Sequence, residues 1–449
     1  MGAPLLVVGL GVTGEAVVRA LVARGLDVVV IEDRPTEQKR DLTATLGVDL
    51  VASPDVAMVD RLVARAEAVL PSPGVPDAHP VFAAAHARSV PVRSEFDLAA
   101  AWDDRPLVAI TGTNGKTTVT VLVTDMLKRS GRRAVAAGNT EVPLVAAIED
   151  AAVDLFVVEA SSFRLGHTER FPPAVATWLN FAPDHLDVHA SLAAYEAAKA
   201  RIWAEQGADD LAVANADDAV VAGHHGPARR VTFSTREAVG YHLAGDALVT
   251  EDGTVLVTIG ALWRAYPHDV ANALAASATA LGADATVEGV RATLTGFEGM
   301  HHRVELVAEQ GGVRFFDDSK ATVPHAVAAA LAAFDSVVLI AGGRNKALDL
   351  SPLAADVGRV RAVVAIGDAA AEVEAAFAGR RPVETATSMD EAVGRAAAIA
   401  EPGDVVLLSP GCASFDWYSS YDERGDDFAR AVRSLTASAS ASSSDAPPA

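Results

Sequence analysis

Cysteine is nearly absent from this chain: Cys412 is the one cysteine in 449 residues. One thiol excludes a disulfide framework and a paired-cysteine zinc site, and it fits a reducing compartment. No apolar run approaches the roughly 20 residues that cross a bilayer, so no stable membrane insertion is expected. The opening residues carry no basic segment ahead of LLVVGLG, which reads as a first strand rather than a signal peptide. Leu6 stands where a myristoylation signal needs Ser or Thr. Positive charge is also scarce, 37 Lys and Arg against 59 Asp and Glu, for a net charge of −22. That balance argues against nucleic acid or an acidic membrane as partner, yet a local loop could still hold a small anion. HExxH and Ser-His-Asp signatures are missing as well. About three domains are expected from this length, in a protein expected to be cytoplasmic and a monomer.

What the chain does have is centred on residues 107–118, LVAITGTNGKTT. Four apolar residues read as a buried strand, and Lys116, Thr117 and Thr118 open an apolar-periodic helix. Between them Gly112, Thr113, Asn114 and Gly115 form a small-residue turn. Backbone N–H groups of such a turn converge on phosphate oxygens, and the helix dipole adds to the attraction. Lys116 can reach the β- and γ-phosphates, and the Thr117 hydroxyl can sit on Mg²⁺. The strict phosphate-loop pattern wants glycine where Ile110 stands, which points to a variant loop rather than a generic ATPase. An ordinary strand–helix turn carrying Gly-Lys-Thr is the bland alternative.

A second glycine loop, GLGVTG at 9–14, follows the first strand and opens a helix, with Glu32 and Asp33 about 20 residues on. This arrangement suits the diphosphate of NAD, and equally that of a sugar nucleotide. Glu159 ends a buried strand, 155–158, on the side of an α/β sheet where ligands bind, and a carboxylate there suits Mg²⁺. His185 again follows a strand end. Lys199, within the helix that begins near Ser191, reads on spacing alone as a solvated lysine. Strands at 313–316, 337–340, 362–366 and 405–408 each end in small and polar residues, which makes a further α/β domain. From about 436 the chain is rich in Ala, Ser and Pro, and a disordered tail is expected. The expected fold is α/β throughout: a Rossmann-like domain at 1–98, a central phosphate-loop ATPase domain with a mostly parallel sheet at 99–297, a Rossmann-like domain at 298–437, and the tail at 438–449. Phosphoryl transfer is the favoured chemistry. A nicotinamide-dependent oxidoreductase leaves TGTNGKTT unexplained, and a nucleotide-binding regulatory module leaves the acids, His185 and the lysines unexplained.

The segments TGTNGKTT, GNTEVPL, VEASSFRL, NFAPDHLDVH, YEAAKARIW, HDVANALAA, HHRVE, DDSKAT, AGGRNK and SPGCASFDWY occur in this order. Together they resemble the Mur ligases of peptidoglycan synthesis over nearly the whole chain. The resemblance implies an ATP-dependent ligase joining D-glutamate to UDP-N-acetylmuramoyl-L-alanine, with members adding L-Glu or L-Ala as alternatives. It implies that Gly112, Thr113, Asn114, Gly115, Lys116, Thr117, Thr118, Asn272, Arg303 and Asp318 bind ATP. Gly11, Val12, Thr13, Glu32, Asp33, Arg34, Asn139 and Ser161 would bind the UDP-sugar. Lys320, Thr322, Lys346, Ser414 and Tyr421 would bind glutamate. Two Mg²⁺ ions would be held by Thr117, Glu159, His185 and a carbamate on Lys199, so Lys116, Glu159, His185 and Lys199 form the implied catalytic set. The chain departs from the family pattern at Asp269, His301, Val323 and Tyr421, none of which removes a charged catalytic group.

Overall fold

The computed structural model describes the backbone of residues 2–186 and 188–444, and side chains up to residue 437. The described residues form three sheets. In the first, β1 (Leu5–Val8), β2 (Val28–Glu32), β3 (Asp49–Ala52) and β4 (Ala68–Pro71) run parallel in the order β3-β2-β1-β4. The central strands are β1 and β2; β1 is buried residue by residue, as expected for a parallel strand covered on both faces.

The second sheet begins with β5 (Leu107–Thr111), β6 (Ala134–Gly138), β7 (Leu155–Glu159), β8 (Val175–Trp178) and β9 (Leu211–Asn215). It continues through β10 (Arg229–Ser234), β11 (Tyr241–Ala244), β12 (Ala247–Val249) and β13 (Val255–Thr258). Its order is β13-β12-β11-β10-β9-β8-β5-β7-β6, parallel from β6 to β11, with an antiparallel β11-β12-β13 meander at the edge. Ile110 lies opposite Glu159 in the β5–β7 register, so the phosphate-loop strand and the acid-bearing strand end side by side.

The third sheet contains β14 (Glu305–Gln310), β15 (Val313–Asp317), β16 (Val337–Gly342), β17 (Val360–Ile366), β18 (Val383–Ala386) and β19 (Val405–Gly411). Its order is β14-β15-β19-β16-β17-β18, with β14 antiparallel to its neighbour and the rest parallel.

These sheets correspond to the three expected α/β regions, but the chain gathers into two compact units. One comprises Met1–Phe181, Asp187–Leu262 and Val270–Phe297, the other Ala182–Leu186, Trp263–Asp269 and Glu298–Ala449. The first two sheets share a unit because residues beyond β4 bridge them: Leu98 and Val145 pack into the cluster built on Leu5, Val7, Val18 and Leu21, and Trp102 packs against both that cluster and the one built on Leu107 and Phe156. The expected tail at 438 is a second difference. The last helix, Tyr421–Ser444, continues through it as far as the backbone is described, and 445–449 lie outside the described residues. Alanine is the strongest helix former, and extending an existing helix avoids the cost of nucleating one.

Candidate functional site

Beside the carboxyl end of β1, a cavity of about 730 Å³ is walled by the GLGVTG turn, the β2 end, the Ser72–Pro76 loop, Asn139 and Arg164. The turn needs its glycines for space and dihedral. Gly9 has φ +84°, and a Cβ on Gly14 would come within 2.0 Å of the Gly9 carbonyl oxygen. Gly11 caps helix Val12–Ala23 without a side-chain bond, and Gly11, Val12 and Thr13 line the cavity. Such a helix terminus attracts phosphate.

Glu32 lies 6 % exposed, and both its oxygens are engaged: one accepts from Leu10 N–H and Lys39 Nζ, the other from Arg34 N–H. Burial opposes its ionisation, yet these bonds prevail and hold the carboxyl below its usual range. Glu32 therefore orders the loop, while Asp33 and Arg34 stand exposed on the cavity rim. Asp33 faces His79 Nε2 at 3.3 Å.

The phosphate loop is held from several sides. Gly112 and Gly115 have φ +155° and +85°, and a Cβ on Gly115 would sit 2.6 Å from Asn272 Oδ1. Asn180 brackets the turn, accepting from Thr113 and Asn114 N–H and donating to the Asn114 carbonyl. Thr117 and Thr118 lie in the first turn of helix Lys116–Arg129. Lys116 Nζ donates to the carbonyls of Gly112 and Thr113 at 2.9 and 3.0 Å. Lys199 departs from its solvated reading. It is 1 % exposed, and its Nζ donates to the same Gly112 carbonyl at 2.7 Å and lies over the Tyr195 ring. Lys116 and Lys199 thus share one carbonyl oxygen as acceptor.

Glu159 is 2 % exposed. Its Oε1 accepts from Asn139 Nδ2 at 2.9 Å, whereas Oε2 is buried with no hydrogen-bond partner among the described residues. An orphaned carboxylate oxygen costs desolvation with nothing returned, and as a hard donor it suits Mg²⁺. On that ground the residues fit the ion. Asn139 and Ser161 are close at hand, with the Ser161 hydroxyl capping helix Ser162–Leu165 through Arg164 N–H.

In the second unit, Lys346 Nζ lies 3.4 Å from Thr322 Oγ1 and 3.6 Å from Asp184 Oδ1. His185 Nε2 lies 3.2 Å from Asp184 Oδ2, and His185 adopts φ +55°. Asp184 thus meets two expected residues, Lys346 and His185, although it was not itself singled out. Lys320 Nζ sits 3.5 Å over the Tyr421 ring. Behind it, buried Arg424 donates to Ser319 Oγ, the Ser319 carbonyl and the Cys412 carbonyl, and burial pulls its pKa down to about 10. Ser414 is buried near the end of β19, and burial pushes the Cys412 thiol up to about 12, which makes it inert. Asp318 accepts from Ser409 Oγ at 2.7 Å, and burial, with Asp317 adding, raises its pKa to about 7. Asp269 is committed elsewhere, in a fork with Arg264 at 2.9 and 3.1 Å; Arg264 also donates to the carbonyls of Arg303 and Val304.

Arg164 was missed entirely. It is 5 % exposed, and its guanidinium donates to Glu95 Oε1, Asn139 Oδ1 and Thr13 Oγ1, each at 2.8 Å. Its signal in the sequence was a lone cation in the run VEASSFRL, directly after the strand that delivers Glu159.

A cavity walled by one glycine turn, a second glycine turn that opens a helix with Lys116 and Thr117, and a buried carboxylate with one unbonded oxygen are features that suit a nucleotide-using α/β enzyme. Three family models match the chain: the Mur ligase MurD-like N-terminal domain at 3–94, the Mur ligase middle domain at 110–280, and the Mur ligase glutamate ligase domain at 302–412. A UDP-N-acetylmuramoylalanine–D-glutamate ligase of Frankia casuarinae is 43 % identical over 96 % of this chain and 94 % of its own. The protein of that name in Syntrophus aciditrophicus is 39 % identical over 97 % and 98 %. In fold, the chain is similar to a UDP-N-acetylmuramate–alanine ligase of Thermotoga maritima, with a TM-score of 0.59 at 20 % identity over 96 % of this chain and 99 % of that one. A pseudomurein peptide ligase of Methanothermus fervidus gives 0.61 at 17 % over 97 % and 100 %. The chain belongs to the Mur ligase family. The nicotinamide-dependent alternative for the GLGVTG loop is thereby set aside.

Proposed function

We propose that this ligase joins D-glutamate to UDP-N-acetylmuramoyl-L-alanine at the expense of ATP, in the cytoplasm. The observation that carries this reading is the shared wall of two sites: Asn139 lines the diphosphate cavity and also holds Glu159, which ends beside the phosphate-loop strand. A UDP-sugar in the cavity would bring its acyl end toward the γ-phosphate of ATP on the loop. The names of the relatives and the MurD-like N-terminal match support D-glutamate as the incoming amino acid.

The substrate carboxylate attacks the γ-phosphorus, the bond to the bridging oxygen breaks, and ADP leaves an acyl phosphate. The neutral amine of glutamate attacks the acyl carbon and gives up one proton to solvent, and the tetrahedral intermediate collapses to the amide by expelling phosphate. Positioning and charge balance do most of the work in such transfers. Lys116 is placed to swing from the loop carbonyls onto phosphate oxygens. Bound Mg²⁺ would supply neutralisation of the phosphate charge, with Thr117, Glu159, His185 and carbamylated Lys199 as its holders. For Lys199 the chemistry is addition of the neutral amine to CO₂ with release of a proton. The buried placement of Lys199 Nζ on the Gly112 carbonyl of the phosphate loop supports it, since the product is an anion able to hold a cation there. Asn272, Arg303 and Asp318 would contact the nucleotide, and Lys320, Thr322, Lys346, Ser414 and Tyr421 the glutamate. Glu32 acts by shaping the loop that holds the UDP group.

Phosphate release from ATP with UDP-N-acetylmuramoyl-L-alanine tests the reading, with D-Glu, L-Glu, L-Ala and meso-diaminopimelate supplied one at a time. Turnover with D-Glu alone is expected. Turnover with L-Glu instead overturns the stereochemical assignment, and turnover with none overturns the ligase reading.

A further inference from the structure

Arg164 joins four segments, and the bonding capacity of its neighbours makes that junction directional. A guanidinium only donates, so the atom of Asn139 facing it at 2.8 Å has to be the carbonyl oxygen. The Asn139 amide nitrogen is thereby turned to the opposite side, where it donates to Glu159 Oε1. With one oxygen occupied, the carboxylate is held in one rotamer and presents Oε2, the buried oxygen without a partner among the described residues. On its other side the guanidinium is pinned by Glu95, which is 3 % exposed and also accepts from Val145 N–H at 3.0 Å. The third donor reaches Thr13, in the first turn of the helix that lines the diphosphate cavity. Each of its three nitrogens therefore has a protein partner, and the bond to Asn139 gives Arg164 a part in orienting that amide.

We infer that Arg164 is a positioning residue: by fixing the orientation of the Asn139 amide it aims Glu159 Oε2 at the cation, and its bond to Thr13 ties that aim to the UDP-sugar wall. The inference rests on the proposed cation role of Glu159. An uncharged residue of similar length would let the amide rotate, so Glu159 would lose its anchor and sample other rotamers. Lysine would keep one of the three bonds.

The test is a Mn²⁺ titration of the full-length protein saturated with a non-hydrolysable ATP analogue, read by water-proton relaxation, beside steady-state kinetics and a melting curve. Arg164→Met is expected to weaken Mn²⁺ binding about tenfold, the equivalent of about 1.4 kcal/mol, and to raise the Mg²⁺ needed for half-maximal turnover in step. The KM for glutamate should stay within about twofold, and Arg164→Lys should recover part of the loss. A residue with a purely structural part would lower the melting temperature and leave Mn²⁺ affinity where it was. Unchanged affinity in a folded Arg164→Met protein overturns the inference. Should that variant not fold, Asn139→Leu leaves the Arg164–Glu95 pair intact and must show the same weakening, or the inference fails. Because the titration needs no turnover, absence of ligation with D-Glu would sink the proposed reaction while leaving this result to stand or fall separately.

Discussion

Lys199 shows most plainly what a neighbour can do to one side chain. Within the run Ala-Ala-Lys-Ala its helix position looks solvated, yet the Gly112 carbonyl, 87 positions away in the chain, takes its ammonium into the interior. The proposed carbamate would put an anion in place of a cation at this buried position beside the phosphate loop. Enzyme dialysed into CO₂-free buffer should therefore lose most of its turnover and regain it with bicarbonate, and Lys199→Arg should lose at least about a hundredfold in kcat whatever the bicarbonate. Activity indifferent to bicarbonate would count against the carbamate. Asp318 offers a pH test. Its folded pKa of about 7 stands above the ordinary 3.8, so the folded state keeps this proton after the unfolded chain has released it. Stability from this group consequently falls as pH rises from about 4 to 7 and is level beyond. The melting temperature of Asp318→Asn, relative to the parent, should climb across that window and then stay flat. A difference independent of pH would show that the carboxyl is not held protonated.

At the scale of elements, two glycine turns set the geometry of both phosphate sites. Gly115→Ala forces a left-handed Cβ against Asn272 at 2.6 Å, so it should destabilise by roughly 1–3 kcal/mol and raise the KM for ATP at least about tenfold. Gly14→Ala collides with the Gly9 carbonyl, and the expected loss is in UDP-sugar affinity with the KM for ATP little changed. Isothermal titration of each variant with each ligand separates the two; equal losses for both ligands would mean general misfolding. The interior strands were legible because parallel strands buried on both faces read as continuous apolar runs, as 107–110 and 155–158 do. Strands β14 and β18, at the two edges of their sheet, went unread: ELVAEQ and VETA mix polar and apolar residues because one side of each faces no neighbour.

For the whole molecule, residues assigned to a single reaction come from both compact units. Among the described residues no helix is long and apolar enough to cross a membrane, in keeping with the lack of long apolar runs in the sequence.

Sequence alone determined the local chemistry: glycines where a backbone must approach phosphate, a lysine and threonine at a helix start, acids at strand ends. These are properties of a few consecutive residues and survive without knowledge of their surroundings. Tertiary structure decided which charges are buried and what they face. It turned Lys199 inward, set Glu32 to ordering its own loop, committed Asp269 to Arg264, and made Arg164 the link from Thr13 through Asn139 to Glu159. Such partnerships join positions up to 151 residues apart, and no local pattern encodes them, because desolvation and pairing arise only when the sheets pack together.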